Sequence, residues 1–163
     1  MTTIRYRIWA AVVLLLILTT LGCAKRSVTP ARSAGWSRPI IVVSAASNVV
    51  ADKTVSVDII GVREVEHYFW DQKPVDVYWR PGDPDRTKAV KYEMREFDKR
   101  NPQELDKRDP KWDVWEQNGV RYLFVIADIP GVRDDRKLDL DLKEVGGRRI
   151  EIRVTEQKLE AVK

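Results

Sequence analysis

The 163 residues carry a formal net charge of +4, with 29 Lys and Arg against 25 Asp and Glu; 44% are hydrophobic and 33% charged. That balance permits a folded chain with room for one domain and argues against a disordered one. A single Cys and a single His exclude an intrachain disulfide and a structural zinc site built from those residue types.

The N-terminus has the layout of an export signal. Arg5 and Arg7 open it, no acid precedes Asp52, and Ile8–Leu21 is almost wholly apolar. That core is short for a membrane span of about 20 residues and suits a signal peptide. Leu21-Gly22-Cys23 follows at once and resembles the bacterial lipobox. The resemblance implies cleavage before Cys23 and acylation of its sulfur with chains such as palmitate. Two acyl chains suffice for stable anchoring at about 0.8 kcal/mol per buried CH₂. Ala24, not Asp, follows the Cys, which points to the outer membrane with the body of the chain in the periplasm. The expected organisation is a signal peptide at 1–22, a lipidated Cys with a flexible basic tether at 23–38, and one domain at 39–163.

Charge divides along the same lines. Arg5 and Arg7 leave with the signal, and Lys25, Arg26, Arg32 and Arg38 belong to the tether, so residues 39–163 sum to −2. The basic footprint of a nucleic-acid binder is absent from the expected domain, and nucleic acid is not expected as a partner.

The domain reads as mainly β. Pro39–Ser44 and Val55–Val62 are β-branched, apolar strands joined by the polar connection Ala45–Thr54. Pro74–Trp79 alternates like a third strand and ends at Pro81-Gly82. Around Ala89–Phe97, the residues Val90, Met94 and Phe97 fall at helical spacing. Asp109–Gly119 predicts a short helix with Asp109 as cap, Pro110 at its first position and Gly119 as terminator. Val120–Ile129 reads as a strand buried on both faces. Leu138, Leu140 and Leu142 alternate, as do Ile150, Ile152 and Val154. A hairpin with a Val145-Gly146-Gly147 loop would pair Leu142 with Ile150, Leu140 with Ile152 and Leu138 with Val154, keeping one apolar face. Leu159 and Val162 predict a last strand after a turn at Glu156–Lys158. The whole predicts a small β-sandwich with one or two short inserted helices.

No catalytic constellation emerges. His67, the only imidazole, sits among Glu64, Glu66 and Tyr68 and reads as an exposed loop residue. Asp83 with Asp85, and Asp134 with Asp135, lack the ligand spacing of a calcium loop. No metal, cofactor or enzymatic activity is expected. Trp79 and at least one of Trp112 and Trp115 are expected in the core, since a small sandwich needs large residues to fill it. Tyr68-Phe69-Trp70, read as a loop, is the better candidate for an exposed contact patch.

The order of features is similar to that of the outer-membrane lipoprotein of the type VI secretion system, the TssJ family. The stretches carrying the likeness are 43–62 (VSAASNVVADKTVSVDIIGV), Pro81-Gly82, 121–128 (RYLFVIAD) and the alternating end of the chain. The resemblance implies a transthyretin-like β-sandwich that binds the periplasmic part of an inner-membrane partner, TssM. It also implies that the loop joining the first two strands makes the contact, here Ala45–Thr54 with Asn48, Asp52 and Lys53. The function expected is a non-enzymatic anchoring or assembly subunit of an envelope complex. The alternative is a periplasmic carbohydrate- or peptidoglycan-binding module that uses exposed aromatics.

Overall fold

The computed structural model describes residues 35–46, 55–95, 101–129 and 135–162. Cys23, Asn48, Asp52 and Lys53 lie outside them. The elements run β1 (Ile40–Ala45), β2 (Ser56–Val62), a 3-10 turn (Glu64–Glu66), α1 (His67–Gln72), α2 (Val75–Tyr78), α3 (Pro84–Lys88), β3 (Lys91–Arg95) and β4 (Gln103–Leu105). The chain continues with α4 (Pro110–Gln117), β5 (Tyr122–Asp128), β6 (Lys137–Asp141), α5 (Leu142–Val145), β7 (Arg149–Val154) and β8 (Leu159–Val162).

Two four-stranded sheets form a small β-sandwich: β4-β1-β7-β8 and β3-β2-β5-β6. The short helical segments are more numerous than the one or two expected, and most of them lie between β2 and β3. In the first sheet β1 runs parallel to β7, with Ile41 beside Ile150 and Val43 beside Ile152. Inward residues of both sheets make the core, among them Ile41, Val43, Val57, Ile59, Leu123, Val125 and Ile152. Within each strand they stand two residues apart, on the side that faces the partner sheet.

One end of the core is closed by α4. Asp109 caps it by accepting from the Lys111 amide at 2.7 Å, and Gly119 ends it at a φ of +68°. Trp112 and Trp115 are both fully buried and meet edge to face with centroids 5.0 Å apart. Their indole N–H groups are satisfied by Asp106 O and Val90 O, each at 2.9 Å. Trp115 lies flat against Gly61: a Cβ there would stand 2.4 Å from the indole ring, so only glycine fits. Of the expected tether only residues 35–38 are described, and they are held. Trp36 packs edge-on against Trp112 and donates to Val120 O at 3.0 Å, while Arg38 makes two 2.7 Å bonds to Glu116.

Four expectations are corrected. Residues 75–78 form α2, not a strand: Val75 and Tyr78 also fit helical spacing, and the Pro74 carbonyl accepts from Val77 and Tyr78 amides at 3.1 and 3.0 Å. Residues 91–95 form β3, not a helix, because Tyr92 and Met94 point inward on alternate positions beside Ile59 and Val57. The hairpin of 138–154 does not exist. β6 pairs with β5 in the second sheet and β7 with β1 in the first, and α5 carries the chain across, capped by Asp141. Alternation had fixed the face of each strand, and it is silent on the partner. Trp79, expected in the core, is half-buried on the outer face of the second sheet. The turn before β8 is as expected, with Thr155 Oγ1 accepting from the Lys158 amide at 2.9 Å.

Candidate functional site

The segment between β2 and β3 forms a layer on the outer face of the second sheet. That face is apolar: Ile60 and Val62 of β2 and Phe124 and Ile126 of β5 point outward and are buried by Trp70 and Tyr78. This explains why β5 is apolar on both faces. A strand with one wet face would alternate there.

Tyr68, Phe69 and Trp70 sit on α1, not in a loop, and the helix divides them. Trp70 is 8% exposed and packs against Tyr78 with centroids 6.1 Å apart. Tyr68 is 76% exposed and Phe69 52%, and Val65 beside them also faces solvent. Positions 65, 68 and 69 share one helical face at the i, i+3, i+4 spacing. The result is a small apolar patch with a rigid base, and Trp70 belongs to the base.

Three polar anchors fix the layer. The first is Asp58 on β2, fully buried on the outer face. Its Oδ2 accepts from Tyr78 Oη at 2.7 Å and Arg86 Nε at 3.0 Å, and Arg95 Nη2 lies 3.2 Å from Oδ1. Burial, then the adjoining carboxylate, raise the Tyr78 hydroxyl well above the ordinary phenol range. The second anchor is Lys137 on β6, whose Nζ donates to Trp70 O at 3.0 Å and also to Asp71 O, closing the C-terminal end of α1. Burial pulls its ammonium below the usual range. The third is Lys73, bonded to Asp83 at 2.9 Å and Asp85 at 2.5 Å. Asp83 also caps α3 by accepting from the Arg86 amide at 2.8 Å. These two carboxylates, considered above as calcium ligands, are thus bound to an ammonium. Among the described residues no three His, Cys, Asp or Glu side chains cluster as a metal site, and no helix is long and apolar enough to cross a membrane.

His67 is part of α1, not of a loop. Its Nε2 stands 2.6 Å from Asp139 Oδ2, and its ring lies 4.1 Å from that of Tyr122. The geometry fastens α1 to β5 and β6.

No protein-family model matches the chain, and no curated protein sequence matches it either. Solved structures do match. One is Serratia marcescens Lip, a membrane-bound component of the type VI secretion system. It is 15% identical, with a TM-score of 0.51 over 78% of this chain and 98% of that one. The fold is shared with a membrane-bound component of the type VI secretion system. A chain in the structure of the TssM C-terminal domain (869–1107) from EAEC matches at 11% identity. Its TM-score is 0.55 over 76% of this chain and 98% of that one. The type VI lipoprotein TssJ1 from Pseudomonas aeruginosa is 17% identical, with a TM-score of 0.48 over 78% of this chain and 95% of that one.

Proposed function

We propose that the chain is an outer-membrane lipoprotein and a non-enzymatic anchoring subunit of a type VI secretion envelope complex. The likeness of its sandwich to Serratia marcescens Lip over nearly all of that protein carries the reading. The placement of the one Cys at the end of an export signal supports it. Residues 1–22 are then removed and Cys23 carries the lipid. A basic tether follows, which 35–38 close onto the domain. The partner is a periplasmic protein of the same complex, TssM-like in the inner membrane. A structure of a type VI membrane complex also contains a chain of this fold, with a TM-score of 0.55 and 13% identity. Asn48, Asp52 and Lys53 of the connection Ala45–Thr54 supply the polar contacts, and Tyr68 and Phe69, backed by Trp70, an apolar one.

Two experiments test this. Cys23→Ser abolishes incorporation of labelled palmitate and releases the chain from membranes; retained labelling would refute lipidation. Affinity capture from solubilised membranes recovers a specific inner-membrane protein, and Asn48→Ala with Asp52→Ala loses it. Capture unaffected by that pair would refute the role of the loop. The exposed Tyr68 and Phe69 favour one second reading, a peptidoglycan- or carbohydrate-binding module. Saturable quenching of tryptophan fluorescence by peptidoglycan fragments, lost in Tyr68→Ala with Phe69→Ala, would establish it instead.

A further inference from the structure

Along the β3 edge of the second sheet a hollow of about 290 Å³ opens between α3 and β3. Arg80, Arg86, Lys91 and Arg95 line it. Three of the four are fixed in advance. Asp58, beneath, accepts from Arg86 Nε and pairs with Arg95. The Trp79 ring supports both guanidinium groups, at 4.2 Å from Arg86 and 5.7 Å from Arg95. Lys91 Nζ donates to Arg86 O at 2.8 Å and lies 3.3 Å from Glu93. Guanidinium groups held this way have lost little further freedom to give up on binding.

Arg95 Nη1 is buried without an acceptor, and Asp58 Oδ1 without a hydrogen-bond donor, so the two groups meet as an ion pair only. Arg80 is exposed and has no ion pair among the described residues. In charge, Arg80, Arg86, Lys91 and Arg95 of the lining meet Asp83 and Glu93, with Asp58 beneath, which leaves one positive charge over.

We propose that this hollow binds one carboxylate, presented by an acidic segment of a protein partner. A single surplus charge matches a monoanion, and a phosphate dianion would be left half compensated. The planar fork of an arginine fits a carboxylate bidentately. The volume lies at the low end for ligand pockets and is enough for one carboxylate side chain. The site is independent of the connection 45–54 and of the type VI reading.

The test uses the full-length chain in detergent micelles, labelled with nitrogen-15, and follows the arginine Nε–Hε signals. Acetyl-Ala-Glu-Ala-amide is titrated against acetyl-Ala-Gln-Ala-amide and inorganic phosphate, with ionic strength matched by sodium chloride. The Arg86 and Arg95 signals are expected to shift saturably with the glutamate peptide and not with the glutamine peptide. Arg80→Gln, which touches no structural partner, is expected to weaken that binding at least threefold with the other signals unchanged. Equal responses to the two peptides, no saturable response, or unaltered binding by Arg80→Gln would overturn the proposal. So would tighter binding of phosphate than of the glutamate peptide, which would assign the hollow to phosphate-bearing ligands.

Discussion

Replacing Asp58 with Ala removes the carboxylate on which Tyr78, Arg86 and Arg95 converge. The fully buried Tyr78 hydroxyl loses its acceptor, at a cost of about 1–3 kcal/mol. Losing one member of a buried ion pair costs about 3–5 kcal/mol where the other charge stays dry. The Arg86 and Arg95 side chains are 27% and 34% exposed, and can turn to water. That recovers more than half of the penalty and leaves about 1–2 kcal/mol. The total is about 2–5 kcal/mol, a large part of the ~5–15 kcal/mol that holds a domain together. At about 3–4 °C per kcal/mol for this size, the melting temperature falls by ~6–20 °C. Differential scanning calorimetry measures that. Hydrogen exchange locates it: the Tyr78 and Lys73 amides of the layer exchange faster, and those of β5 change less. Asp58→Asn keeps an acceptor for Tyr78 and should lose about half as much. A fall below about 3 °C, or faster exchange spread evenly over both sheets, would refute the idea that Asp58 pins the layer.

Other consequences are as direct. Tyr78 keeps its proton above pH ~10, where an unfolded tyrosine loses it. The folded state then binds more protons, so stability present below pH 10 is lost as pH rises, by up to about 1.4 kcal/mol per pH unit. In urea titrations between pH 9.5 and 11, Tyr78→Phe flattens this slope; an unchanged slope sinks the assignment. Gly61→Ala forces the Trp115 ring away from its place and costs about 1–3 kcal/mol in denaturant unfolding, and a loss under half a kcal/mol contradicts the close approach. Lys137→Met uncaps the C-terminal carbonyls of α1 and costs about 1–2 kcal/mol, with faster exchange confined to residues 67–73; exchange identical to the parent protein argues against a capping role. Glu116→Gln loosens Arg38, so the Arg38 Nε–Hε proton, held by Glu116 in the parent, exchanges with water sooner; equal exchange rates count against the latch.

The strands and the capped helix were legible wherever local pattern decides the structure. Val57 and Ile59, and Ile150 and Ile152, announce their inward faces by alternation, and Asp109, Pro110 and Gly119 mark the ends of α4. What stayed hidden depends on distant residues. Leu140 and Ile152 obey the same period, yet one pairs beside β5 and the other beside β1. The layer was hidden because its helices are four to six residues long, too short for a period to separate helix from strand. A signal for it was present in β5: Phe124 and Ile126 are apolar on the face that a solvated sandwich would leave polar. Asp58 carried no signal of its own, since an alternating acid in a strand ordinarily meets water. Of the candidate contact residues, sequence placed Tyr68 and Phe69 outside correctly and Trp70 wrongly, because a three-residue aromatic run on a helix must send one member inward.

The parallel pairing of β1 with β7 also sets the order in which the protein can form. β1 is the first strand made, and its neighbours are the three-residue β4 and the late-arriving β7. A chain emerging from its N-terminus can therefore set Ile41 and Val43 against the short β4 at 103–105, and must leave their other edge open until position 150 has emerged. Closing so long a loop is slow, on the order of milliseconds to seconds for all-β topologies. Until then the most apolar strand of the first sheet has no lasting partner on that edge, so folding is all but postponed to completion of the chain.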